Sequence, residues 1–224
     1  MAVWAGSSFS QNMPYAPPQN VVHLAAQGSA EVQQDLLSMT MNTTREGPDA
    51  GTVQNQLKAA LDVALAEAKR AAQPGQMEVR TGNFSLSPRY GRDGKISGWQ
   101  GSVELVLEGR DFARISATAG KIQTLTMGNV TFGLSRGQRA QVEGEAQTMA
   151  IDRFKARASD IAKGFGFAGY SLREVSVNAN DQGVAPRPRM MAMEAKASMA
   201  EAPVPVEAGQ STVLVTVSGT VQLK

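Results

Sequence analysis

The chain has 224 residues, of which 42% are hydrophobic and 19% charged, and a net charge of +2. It has no cysteine and a single histidine, which excludes disulfides, thiolate nucleophiles, cysteine-based metal sites and a two-histidine zinc site within one chain. The Lys and Arg residues are scattered, without the basic stripe typical of nucleic-acid-binding proteins, and no apolar run approaches the ~20 residues that span a bilayer.

The N-terminal part of the sequence predicts a leader followed by two strands. Residues 1–20 are rich in Pro, Asn, Gln and Ser and lack the basic region and apolar core of a signal peptide, so we expect a flexible leader. A strand is predicted from Val21 and another from Leu37, where apolar and polar residues alternate. The two runs either pair or form one long strand that bends at Gly28.

A helix and a hairpin are predicted next. Asp49 is expected to cap an amphipathic helix whose apolar residues recur at three- and four-residue steps and which ends near Pro74. A strand from Met77, an Asp93-Gly94 turn and a return strand through Trp99 predict a β-hairpin, because Asp-Gly is a strong hairpin signal.

The second half of the chain predicts two helices and three strands. Asp111 is expected to cap a short helix, which a strand through Phe132 follows. The longest helix is predicted from about Arg136 to Phe165, with Phe165 on its apolar face, because apolar residues recur there at near-four spacing. Strands are predicted at 170–177 and at 213–217.

Residues 178–210 are rich in Met, Pro and Ala and lack periodicity, so we expect a mobile linker before the last strand. Its composition favours an adaptable contact with a neighbouring subunit or loop. The alternative is a Met-based redox or Cu(I)-handling protein, since thioethers bind Cu(I) and are reversibly oxidised. The methionines concerned are Met190, Met191, Met193 and Met199.

The stretch GFGFAG at 164–169 matches the G-x-G-x-x-G spacing of dinucleotide-binding proteins. That motif must follow a strand and open a helix, so that the helix N-terminus faces the pyrophosphate. Here it closes the longest predicted helix. We therefore interpret the glycines as a helix cap and turn, and predict no cofactor.

No catalytic residue or metal ligand is predicted, and the chain is expected not to be an enzyme. His23 lies in the first strand, and the sequence has no G-x-S-x-G elbow that would accompany a hydrolase triad. The carboxylates considered for acid–base chemistry share the lack of a protected setting. They are Asp35, Glu104, Glu108, Glu143 and Glu145.

Function is instead expected at surfaces. The strand at 213–217 and the Trp99 hairpin are candidate exposed edges, and an unpaired edge favours strand addition between chains. We therefore expect a homo-oligomer or a protein partner.

Two motifs of this sequence are similar to motifs of the SIMPL-domain family, also called YggE-like. The resemblance to that family runs from about Val21 to Leu223. It implies an α+β fold, an antiparallel β-sheet with two or three helices packed across it, in one domain over 21–224. It further implies export to the periplasm or secretion, a link to oxidative-stress defence and homo-oligomers, with no family catalytic residues to carry over. The matching residues are Phe84, Pro88, Tyr90, Ile96, Gly98 and Trp99 in the hairpin, and Asn129, Phe132, Leu134 and Ser135 after it.

Overall fold

The computed structural model describes residues 19–180 and 207–224. Within these residues the chain forms two antiparallel sheets and three helices, so the predicted α+β fold class is confirmed. The elements are β1 (Val21–Gln33), β2 (Leu36–Gly47), α1 (Ala50–Ala71), β3 (Met77–Tyr90), β4 (Ile96–Gly109), α2 (Phe112–Lys121), β5 (Thr126–Gly133), α3 (Arg136–Gly164), β6 (Tyr170–Asn180) and β7 (Gln210–Leu223).

Most of the predicted leader and linker, residues 1–18 and 181–206, lies outside the described residues. The predicted linker begins at Asn178, whereas β6 continues to Asn180.

The chain divides into two compact units. Among the described residues, the smaller unit comprises 19–28, 147–179 and 215–224, and the larger unit comprises 29–146, 180 and 207–214.

The larger unit contains a four-stranded sheet in the order β3-β4-β2-β5. Its β2 and β4 pair without interruption from Leu37 opposite Gly109 to Gly47 opposite Trp99. The alternating apolar residues of both strands are buried together with the apolar stripe of α1, which includes Leu57. The period-two and period-3.6 patterns therefore predicted this core correctly.

Local capping signals in this unit act as the sequence predicts. The Asp49 side chain accepts a hydrogen bond from the Thr52 N–H at 2.7 Å and begins α1. The Asp111 side chain accepts one from the Arg114 N–H at 2.9 Å and begins α2. Each carboxylate satisfies one of the N–H groups that a helix start leaves without an intrahelical partner.

The first two predicted strands neither pair with each other nor form one long strand that bends at Gly28. β1 continues through Gly28 and belongs to the three-stranded sheet, whereas β2 belongs to the four-stranded sheet. The break falls at Gln34-Asp35, where the Asp35 side chain takes up contacts described below.

The smaller unit combines parts of β1, α3, β6 and β7, and the sheet order is β1-β7-β6. The buried residues of α3 recur at four-residue steps, and β1 and β7 contribute alternate residues to the interior. These buried residues are Leu24, Ala26, Ala150, Phe154, Ala158, Ala162, Val215, Val217, Val221 and Leu223.

Two expectations about exposed and buried residues were wrong, and a third was right in part. The strand at 213–217 is part of β7, which lies between two neighbouring strands and is not an edge. The hairpin that contains Trp99 does form an edge of the four-stranded sheet through β3, although Trp99 itself lies on the central strand β4 and is partly buried against the core. Phe165 is 72% exposed, because α3 ends at Gly164 and the four-residue step continues to Ala162 instead.

Candidate assembly edge

β1 is one edge of the three-stranded sheet, and arginines cover part of it. The Leu223 N–H bonds the Asn20 carbonyl at 2.9 Å, so alternate residues of β1 direct their backbone groups towards β7. The carbonyls of Ala25 and Gln27 fall on the intervening positions and point outward. Arginines on α3 bond both: Arg157 donates to Ala25 at 3.1 Å and Arg153 donates to Gln27 at 2.7 Å.

The two arginines are four residues apart, which places them on the same side of α3. Each guanidinium occupies a carbonyl that an added strand would need for its own hydrogen bonds. The β1 edge is therefore blunted, as charged side chains blunt edges in other sheets.

β6 is the other edge of this sheet and has only β7 as a paired neighbour among the described residues. Its residues are exposed on both faces from Leu172 to Ala179. The exposed fractions are 56% for Leu172, 44% for Val175 and 44% for Val177. An edge strand of this length with exposed apolar side chains is a template for strand addition.

β6 is held firmly on its inner side. Gly169 and Lys224 exchange two backbone hydrogen bonds of 2.9 Å. Further along, Gly219 on β7 lies so close to the Glu174 carbonyl that a side chain at this glycine would overlap it. These contacts with β7 hold β6 in place, and the outer side of β6 faces away from β7.

The edges of the four-stranded sheet carry features that disfavour strand addition. β3 has a register shift between Thr81 and Phe84 and a proline at Pro88, and β5 has only eight residues. Bulges, edge prolines and short strands are recognised protections against edge pairing. β6 has eleven residues and no proline, which singles it out.

The G-x-G-x-x-G stretch ends α3, as the sequence predicts. The Phe167 N–H bonds the Ala162 carbonyl at 2.9 Å, and the Gly166 N–H bonds the Lys163 carbonyl at 3.0 Å. Gly166 has φ of 80°, the left-handed conformation that favours glycine. These are the two bonds of a Schellman cap, so the glycines at 164–169 close a helix.

His23 makes a cross-strand contact on β1. Its Nδ1 lies 2.9 Å from the Thr220 hydroxyl on β7; His23 is exposed and Thr220 is half-buried. It lines a shallow, open cleft of about 490 Å³ together with Glu174 and Ser218. No catalytic role was predicted for it, and this hydrogen bond gives the ring a structural one.

The other candidate carboxylates are dispersed. Glu104 accepts a hydrogen bond from the Asn83 N–H at 3.2 Å, and Glu108 lies 3.8 Å from Arg80 on the solvated side of the hairpin. Glu145 accepts one from Gln141 at 3.2 Å on α3. Among residues 19–180 and 207–224, no group of three or more His, Asp or Glu side chains is arranged to hold a metal ion.

Asp35 is a candidate carboxylate whose role sequence reasoning missed. Its two oxygens accept hydrogen bonds from the Ser135 N–H and the Ser135 hydroxyl, both at 2.7 Å. Arg110 Nε lies 3.2 Å from it, and the Asp35 side chain is 20% exposed. Burial opposes ionisation, but these hydrogen bonds and the Arg110 charge outweigh it and lower the pKa of Asp35 below its ordinary value.

The methionines considered as copper ligands, Met190, Met191, Met193 and Met199, lie outside the described residues. In the helices that the structure does describe, none combines the length and apolar character required to cross a membrane.

A comparison with known protein families identifies the family of this chain. The SIMPL family model, described as "Protein of unknown function (DUF541)", matches residues 22–221. The chain belongs to the SIMPL family. The resemblance carried by the hairpin and the N-x-x-F-x-L-S motif is thereby confirmed over nearly the whole chain.

No curated protein matches this SIMPL chain. Among solved structures, one match is "The crystal structure of AtUAH in complex with glyoxylate", with 14% identity and a TM-score of 0.24. The match covers 58% of this chain and 34% of that one, so it spans about a third of that protein.

Proposed function

We propose that this SIMPL protein is a non-enzymatic protein of the cell envelope, periplasmic or secreted, that assembles with copies of itself through the free edge of β6. The observation that carries assembly is the exposure of Leu172, Val175 and Val177 on a strand whose one paired neighbour, within the part of the chain that the structure describes, is β7. Family resemblance supports export and a link to oxidative-stress defence.

Burial of β6 in an assembly satisfies two physical demands together. Backbone N–H and C=O groups on the outer side of the strand gain partners, and exposed apolar side chains leave water. β6 is the edge where both gains are available, since arginines occupy β1 carbonyls and β3 carries Pro88.

Light scattering coupled to size exclusion tests assembly. We expect the wild-type protein to be oligomeric at micromolar concentration and Val175→Lys to be monomeric or much weaker in association, because the ammonium group would be placed in the contact. The matched control is Val63→Lys, which changes a 58% exposed valine on α1 and should leave the mass unchanged. A wild-type chain that stays monomeric at high micromolar concentration would contradict the proposal.

Cell biology tests the rest of the proposal. Fractionation of cells that express the full gene should place the protein in the periplasm or the medium, and deletion of the gene should lower survival in peroxide. Recovery of the protein in the cytosol alone would refute export. Survival that deletion leaves unchanged would remove the oxidative-stress role.

A further inference from the structure

We propose, building on assembly through β6, that β6 pairs antiparallel with β6 of a second copy, with Ser176 opposite Ser176 of the partner subunit. The two three-stranded sheets then form one six-stranded sheet in the order β1-β7-β6-β6-β7-β1. The partner is a second copy because the exposed sequence of β6 is chemically complementary to itself in this register.

Symmetry limits the registers available to such a pair. A two-fold axis that relates two antiparallel strands runs perpendicular to the sheet, because it must reverse the strand direction and keep the two faces. It therefore passes through the midpoint of a residue pair, and one residue faces its own copy. Each register is named by that central residue.

Registers centred on the charged residues of β6 are unfavourable. An axis at Arg173 places two guanidinium groups directly opposite each other, and an axis at Glu174 places two carboxylates opposite each other. Like charges at directly opposed positions destabilise strand pairs. An axis at Val175 avoids this conflict but sets Arg173 against Val177.

The register centred on Ser176 places chemically similar side chains opposite each other. The two Ser176 hydroxyls face each other, and Val175 lies opposite Val177 on both sides of the axis. Four β-branched side chains thus meet on one face of the sheet, the kind of cross-strand contact that stabilises strand pairs. Arg173 and Glu174 then lie opposite Ala179 and Asn178, away from their own copies.

The register centred on Val177 is the nearest competitor. It pairs Val177 with itself but sets Val175 opposite Ala179, so one valine pair replaces two. It also sets Ser176 against Asn178, which loses the hydroxyl pair. Complementarity along the strand therefore favours the axis at Ser176.

The covered β1 edge explains why the proposed assembly ends at two copies and does not continue as a chain of strands. A contact between β1 of one copy and β6 of the next would repeat without end, because each copy would still present a free edge. Arg153 and Arg157 occupy the outward carbonyls of β1 and disfavour that contact. The β6-to-β6 contact uses the free edge of both copies and leaves the two covered β1 edges outside.

Single-cysteine cross-linking tests the register directly, since the wild-type chain contains no cysteine. Opposed residues on paired strands bring their Cβ atoms to about 4.5–5.5 Å, which slightly exceeds the usual Cβ separation of a disulfide and which a short thiol-bridging reagent spans. The informative variants are Ser176→Cys for the proposed register, Val175→Cys for its neighbour, and Ser171→Cys as a control on the same strand.

We expect Ser176→Cys to become predominantly a covalent dimer under mild oxidation or bridging, on a non-reducing gel. Val175→Cys and Ser171→Cys should remain predominantly monomeric on that gel. Cross-linking of Val175→Cys in preference to Ser176→Cys would overturn the register.

The result separates this inference from the assembly proposal on which it rests. If light scattering shows oligomers that Val175→Lys abolishes, and Ser176→Cys does not cross-link, assembly through β6 stands and the register is wrong. If the wild type is monomeric at all concentrations, both proposals fail.

A second variant tests closure. Arg153→Met combined with Arg157→Met frees the β1 carbonyls while keeping good helix formers, and we expect species larger than the wild-type assembly. Lys155→Met on the same helix is the control and should keep the wild-type mass. A double variant with the wild-type mass would overturn the closure argument.

Discussion

Asp35 links the junction of β1 and β2 to the start of α3, and its replacement tests how that helix is capped. α3 has no acidic residue in its first turn and begins with Arg136, so its N-terminal dipole receives no favourable charge from its own sequence. Asp35 supplies a carboxylate from 100 residues away and holds both the N–H and the hydroxyl of Ser135. The Ser135 hydroxyl oxygen in turn accepts a hydrogen bond from the Gln138 N–H at 3.3 Å.

The expected cost of Asp35→Ala follows from these contacts. Loss of a capping side chain costs about 0.5–2 kcal/mol, and a hydrogen bond to a charged group contributes about 1.5–3 kcal/mol. The two bonds share one carboxylate and are not additive, and the 58% exposed Arg110 side chain adds less than about 1 kcal/mol. We therefore expect Asp35→Ala to lower the free energy of unfolding by about 2–4 kcal/mol.

Urea denaturation followed by circular dichroism and tryptophan fluorescence measures this loss. Asp35→Asn keeps one acceptor oxygen and should lose about half as much, whereas Glu145→Ala on the solvated side of α3 should stay within about 0.5 kcal/mol of wild type. A loss below about 1 kcal/mol for Asp35→Ala at neutral pH would refute the capping role.

The pH dependence gives an independent check. The pKa of Asp35 is lowered in the folded protein, so its ionised form stabilises the fold above its unfolded pKa of about 3.9, and this contribution is lost as pH falls through the lower folded value. The difference between wild type and Asp35→Ala should therefore be full at pH 7 and shrink below about pH 4. A difference that stays constant to pH 2 would show that ionisation of Asp35 does not stabilise the fold.

Three further substitutions test packing and backbone geometry by denaturation. Gly109→Ala should cost about 2 kcal/mol or more because its Cβ would overlap the backbone of Gln76 and Met77. Gly144→Ala, with open space on α3, should gain about 0.5–1 kcal/mol. Equal effects of the two variants would contradict the close approach at Gly109. Phe154→Ala, at a buried position, should cost about 3–5 kcal/mol, and the exposed Phe165→Ala less than about 0.5; similar losses would show that α3 buries another face. Gly166→Ala should cost about 1 kcal/mol because its φ is positive, and an unchanged stability would argue against the Schellman cap.

Local signals predicted most of the fold from the sequence. Apolar residues at period two in β2 and β4, and at three- and four-residue steps in α1, are buried as expected. Asp49 and Asp111 cap their helices because capping depends on residues only three positions away. The glycine-rich end of α3 was interpreted correctly for the same reason, since its context is set by the neighbouring helix.

The errors concern long-range neighbours. β7 has an alternating β-branched sequence whether it lies at an edge or between two strands, so the pattern at 213–217 could not reveal its central position. The covering of β1 was also invisible, because Arg153 bonds a carbonyl 126 residues earlier and Arg157 one 132 residues earlier. On a helix, both arginines look like ordinary solvated residues.

The two edge strands of the three-stranded sheet, β1 and β6, differ in how they are covered, and this difference supports the proposal that β6 mediates assembly. An edge strand with exposed apolar residues promotes aggregation unless it is blunted or buried. In this sheet, one edge is blunted by two arginines on α3, while the other presents Val175 and Val177 on a strand of eleven residues. Protection of β1 alone would leave β6, as far as the described residues show, open to pairing, which supports the proposal that a partner covers β6. In the proposed register a copy of the same chain would be that partner, because the axis at Ser176 would bring valine against valine and keep the charges of Arg173 and Glu174 apart.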